Sequence, residues 1–166
     1  MLNQLIAGAL VSFLNFGIHA LMTGAIIEAT RHTAKRTDHL HAVLRMTALF
    51  TVTMIALMCA HVCEIGVWAI YYHVSGSTPA NTDAFYFAFE NYTALGYGNP
   101  VPPDDKRVIG PITALNGLLL IGWSVAIIFE VMRMAGRPHS SFTSGSRSTR
   151  LLSSGSCVTK QLMVIL

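Results

Sequence analysis

Charge is scarce in this chain. Lys, Arg, Asp and Glu together make up 11% of its 166 residues, against roughly a quarter in a soluble globular domain. With 52% hydrophobic residues, that shortage excludes an ordinary water-soluble domain and points to a membrane. Cysteine is scarce too. Cys59, Cys63 and Cys157 form an odd set of three, which cannot all pair within one chain, and their spacing fits no metal motif. Cys59 and Cys63, four apart on a predicted helix, read as small apolar packing residues. No helix repeats Arg or Lys at every third residue, which excludes a voltage sensor. No internal repeat is apparent, no soluble ligand-binding domain follows the apolar runs, and no nucleic-acid partner is expected.

What the chain has instead is long apolar runs. Crossing a hydrocarbon core takes about 20 mostly apolar residues, and three stretches meet that length. The first lies before Glu28, the second runs from about Met46 to Tyr72 with Glu64 as its only formal charge, and the third covers 108–129 with none. The first opens Met1-Leu2-Asn3-Gln4, without the basic start of a cleaved signal peptide, and so reads as a retained helix.

Arg31, Lys35, Arg36 and Arg45 lie between the first two runs against Glu28 and Asp38, and such a Lys/Arg excess marks the cytoplasmic side. The amino terminus is then outside and the carboxyl terminus inside, with Arg133 and Arg137 also cytoplasmic. This topology puts Glu64 near the outer, wetted end of the second helix, beside Trp68, Tyr71 and Tyr72, which read as an interfacial aromatic belt. Residues 135–166 are rich in Ser, Thr, Gly and Arg without apolar periodicity and read as a disordered cytoplasmic tail.

The segment from His73 to Arg107 is outside at both ends, yet its middle reads Ala84-Phe85-Tyr86-Phe87-Ala88-Phe89. Asn81, Thr82 and Asp83 are suitable caps for a short helix over 84–92, too short to span. Non-helical backbone at membrane depth must be buried in protein or line a watery cavity, which leaves Thr93 to Gly98 as a lining. A filter for dehydrated cations needs successive carbonyls aimed inward, and glycine tolerates the backbone angles that requires. Gly96 and Gly98 meet that need on either side of Tyr97, with Tyr86, Phe87 and Phe89 as candidate braces behind it.

Phe85 to Asn99, followed by an apolar helix, resembles the pore region of potassium channels, in particular the bacterial group with a two-helix pore. The resemblance covers about 46–134. It implies a homotetramer in membrane lipid, most simply the bacterial inner membrane, with no enzymatic activity and no cofactor besides permeant K+. The implied filter is Thr93, Ala94, Leu95, Gly96, Tyr97 and Gly98, with K+ held by carbonyls of Ala94, Leu95, Gly96 and Tyr97. Glu90, Asn99, Tyr86 and Phe87 are its implied supports, and Gly117 and Gly122 candidate hinges of the inner helix. Two positions depart from the family's pattern: Ala94 replaces the innermost threonine, and Asn99 an acidic residue.

The expected fold is all-α, with three spanning helices and a re-entrant pore helix. It divides into a first helix and basic loop (1–45), a pore domain (46–134) and the tail (135–166). Two other functions compete. His19 and His61 both lie in apolar runs and suggest a b-type cytochrome with haem between them, and the Ala94 departure suits a non-conducting helper subunit.

Overall fold

The computed structural model of the chain describes residues 2–96 and 101–135. Four α-helices account for most of them: α1 (Leu2–Arg36), α2 (Ala42–Ser75), α3 (Ala84–Tyr92) and α4 (Ile109–Ala135), with one 3-10 turn at Asp104–Lys106. No strand occurs among the described residues. Three of the helices are long and apolar enough to cross a membrane. At 1.5 Å per residue, the 35 residues of α1, 34 of α2 and 27 of α4 exceed a hydrocarbon core of about 30 Å.

Both α1 and α2 outrun their apolar stretches. The basic connection is mostly helical, because Arg31, Lys35 and Arg36 sit in the last turns of α1, where long cations suit the helix's negative end. Only 37–41 separate the two helices, and Arg45 reaches back to Asp38 at 3.6 Å. α2 ends on Gly76, whose φ of +61° provides the left-handed cap, and the Lys106 ammonium donates to the carbonyls of Ser75 and Gly76. α3 starts where Asp83 accepts a hydrogen bond from the Tyr86 amide at 2.8 Å. Pro111 lies in the first turn of α4, where its missing N–H costs nothing.

α1 packs on α2 and α4, and α3 packs on α2 and α4. One apolar cluster lies around α3, with Ile65, Trp68, Tyr72, Phe87, Tyr92 and Leu120. A second joins Ile26, Leu49, Leu57, Ile127 and Val131. Large apolar side chains also cover the outside, among them Leu10, Phe13, Ile55, Ile70, Leu118 and Phe129, as expected of a surface facing lipid or another apolar partner.

Several expectations need correction. Trp68 and Tyr72 are buried, not interfacial. Their polar ends find partners inside the bundle, Trp68 Nε1 donating to Asn116 Oδ1 at 2.9 Å and the Tyr72 hydroxyl pairing with Thr113 Oγ1 at 2.8 Å. Glu64 is wholly buried as well, because side chains of three helices supply its hydrogen bonds in place of water. Cys59 and Cys63 are free thiols exposed on the outside of the helices rather than packed between them.

Candidate functional site

The implied filter begins where α3 stops. The Thr93 amide donates to Phe89 O, Ala94 N to Asn91 O and Leu95 N to Glu90 O, each at 3.0–3.1 Å, which satisfies the last carbonyls of the helix. The Thr93 hydroxyl donates to Phe89 O at 2.9 Å and so lies against the helix. Beyond this point the backbone leaves helical geometry in a specific way. Ala94 has φ +55° and Gly96 φ +57°, whereas Leu95 between them is not left-handed. Extended backbone points successive carbonyls to opposite sides; left-handed residues at every second position rotate them towards one side.

Gly96 is the residue type this needs. Ala94 is not, and the sequence carried no sign that an alanine would take that conformation, which L side chains pay roughly 1–2 kcal/mol to adopt. Ala94, Leu95 and Gly96 are exposed on the single subunit. Tyr97, Gly98 and Asn99 lie outside the described residues, as does the tail beyond 135.

Behind the segment is a cleft of about 350 Å³ bordered by Glu90, Asn91, Ala94, Gly96, Gly110 and Pro111. Glu90 retains 5% of its surface, so it is buried within the chain beside residues 94–96, away from open water. Phe87 turns the other way, its ring 4.8 Å from that of Tyr72, and anchors α3 to α2. Tyr86 and Phe89 are exposed on the subunit.

The two candidate hinges separate clearly. Gly122 has open space around it, while a Cβ on Gly117 would lie 2.9 Å from the carbonyl carbon of Tyr92 and 3.0 Å from its ring. Gly117 is thus a packing glycine: it lets the backbone of α4 approach the end of α3. Just before α4, Arg107 pairs with Asp104, and Lys106 is spent on the end of α2. At the other end of α4, Glu130 pairs with Arg133 at 2.8 Å.

A second constellation was only half visible in the sequence. Glu64 accepts from His19 Nδ1 at 2.7 Å through Oε1, and from His61 Nδ1 at 3.0 Å and the Tyr92 hydroxyl through Oε2. His61 Nε2 is 2.9 Å from Ser124 Oγ. One helical turn further, Asn15 Nδ2 donates to Asn116 Oδ1 at 3.1 Å and to the Glu64 carbonyl at 3.3 Å. His19 and His61 stood out in the sequence; Asn15, Asn116 and Ser124 did not, although polar residues inside apolar runs are the signal that finds them.

The haem reading fails on this geometry. A porphyrin needs a broad flat opening between its two histidines, whereas the rings of His19 and His61 have centroids 5.6 Å apart and share hydrogen bonds with Glu64.

Three helices long and apolar enough to span, with no strand among the described residues, mark an integral membrane protein of helical build, and a short fourth helix held between two of them leads into a backbone of alternating handedness. The family model described as ion channel matches residues 58–134. The match runs from the middle of α2 through α3 and along α4, within the span to which the resemblance pointed, and leaves α1 outside it. No curated protein and no solved structure matches the chain.

Proposed function

We propose that the chain is one subunit of a homotetrameric, potassium-type cation channel in which residues 93–98 form the selectivity filter and α3 is the re-entrant pore helix. The observation carrying this reading is the pair of left-handed residues, Ala94 and Gly96, directly after α3. They aim consecutive carbonyls to one side, and a ring of such carbonyls replaces the water shell of a dehydrated ion. The carboxyl end of α3 adds partial negative charge at the same place. One chain supplies one wall, and four copies about an axis close the ring. Gly98 extends the two-residue spacing of Ala94 and Gly96, and carbonyls of Ala94, Leu95, Gly96 and Tyr97 are the K+ ligands.

In this reading the amino terminus is outside, the basic turn between α1 and α2 is cytoplasmic, and the membrane is the bacterial inner one. Gly122 has the room for a gating bend of α4. Ala94 offers no hydroxyl and the Thr93 hydroxyl is committed to Phe89 O, so selectivity for potassium over sodium rests on the carbonyl rings alone.

The test is Gly96→Ala. At φ +57° the added Cβ costs about 1–2 kcal/mol in each subunit. Potassium flux into liposomes should collapse while membrane insertion and tetramer mass stay unchanged. Undiminished flux from the variant, or conduction by a monomer, would remove the filter assignment.

A further inference from the structure

The buried polar layer that joins α1 to the matched domain has the makings of a binding site. His19, His61 and Glu64 each offer a ligand atom, and these atoms all lie within 4.8 Å of one another. His19 and Glu64 are wholly buried, while 15% of the His61 side chain remains accessible, which gives the cluster an opening. Each residue is well inside its helix: Glu64 is eleven residues from the end of α2 at Ser75, and His19 is seventeen from either end of α1.

A carboxylate at such a place needs a counter-charge, because burying one alone costs several kcal/mol. No Lys or Arg stands among its hydrogen-bond partners, which are two imidazoles and a phenol. We infer that His19, His61 and Glu64 form a site for a divalent transition-metal ion of the zinc class, buried between α1 and α2 against the pore helix.

The donor set is chemically apt. Two neutral imidazoles and one carboxylate, with a fourth position open, suit zinc, whose ligands lie at about 2.0–2.2 Å in tetrahedral array. Two ligand atoms of such an ion stand roughly 3.4 Å apart, so the widest separation has to close by about 1.4 Å, shared between two side chains. The nitrogens not needed for ligation are also provided for. Ser124 Oγ can accept the proton on His61 Nε2 and hold Nδ1 towards the ion, the usual second contact of a metal-bound histidine. His19 Nε2 is buried without a hydrogen-bond partner, and can take the proton that ligation displaces from Nδ1. Tyr92 keeps its place beside Glu64 and is the fourth candidate donor.

The test uses the full-length protein in detergent with Cys59, Cys63 and Cys157 replaced by serine, which removes thiolate binding. Cobalt(II) serves as a spectroscopic probe and zinc as its competitor. One cobalt per subunit with the intense visible bands of a four-coordinate ion, displaced by zinc, is the expected result. His19→Gln and His61→Gln should each weaken zinc binding at least tenfold, whereas His32→Gln, on the same helix as His19 and outside the cluster, should not. Absence of those bands in the parent protein, or zinc binding that both cluster variants leave intact, overturns the inference. Because the first readout is taken on the parent protein, a cluster variant that fails to fold does not obscure the answer.

Discussion

Gly117→Ala separates two roles that a glycine in the third spanning helix can play. The new Cβ would lie 2.9 Å from the Tyr92 carbonyl carbon and overlap the carbonyl oxygen. That neighbour is backbone at the end of α3 and cannot rotate aside. Restoring ordinary contact at 3.5–4.0 Å with that oxygen, the nearest atom, requires α4 to withdraw by roughly 1.5 Å, and forced overpacking of this kind costs about 1–3 kcal/mol per subunit. In a tetramer the four copies sum to about 4–12 kcal/mol on the same scale. Gly122→Ala is the matched control, since no heavy atom lies within 4 Å of its Cβ position and alanine favours a helix by up to about 1 kcal/mol. Thermal unfolding in detergent, followed by the loss of the folded species on size-exclusion chromatography, reads both. The Gly117 variant should unfold at a clearly lower temperature and the Gly122 variant at the same temperature or above. A Gly117 variant as stable as the parent, with Gly122→Ala the damaging change, would refute the packing argument.

Ala94→Thr adds a hydroxyl at the start of the proposed filter but places a β-branched residue at φ +55°, where such residues are outliers. Reversal potentials should shift towards potassium, with a thermal midpoint below that of the parent. A variant less selective than the parent would mean that a hydroxyl at this position adds no potassium coordination. Lys106→Met removes the ammonium that caps Ser75 and Gly76 and should cost about 1 kcal/mol. Arg107→Ala breaks only a largely exposed pair with Asp104 and should stay within about 0.5–1 kcal/mol of neutral. Denaturant titrations of the two side by side check the order, and a reversed order would refute the capping role.

Apolar run length made the three spanning helices legible, and Asp83 before an aromatic stretch made α3 legible, since both signals are local. The helix ends were less so: charge marks where a membrane ends, but Arg31, Lys35 and Arg36 are good helix formers and carry α1 past that limit. Gly96 announced its backbone angle through its residue type, whereas Ala94 did not. The placement of Glu64 was misread because an isolated acid in an apolar run looks as if it must reach water. Its partners come from 45 residues earlier and 28 later in the chain, and no local pattern reports such a meeting. The same holds for Trp68 and Tyr72, which look interfacial until Asn116 and Thr113 of α4 supply their hydrogen bonds. Gly117 could be told from Gly122 only once Tyr92 was seen against it.

The central claim is that residues 93–98 conduct dehydrated cations. Its most direct test is ion flux by the purified, full-length protein in liposomes under opposed potassium and sodium gradients. The account predicts potassium current, a reversal potential displaced towards the potassium equilibrium value, and loss of both in Gly96→Ala. Tetrameric, correctly inserted protein that passes no cation, or whose current is untouched by Gly96→Ala, would contradict it.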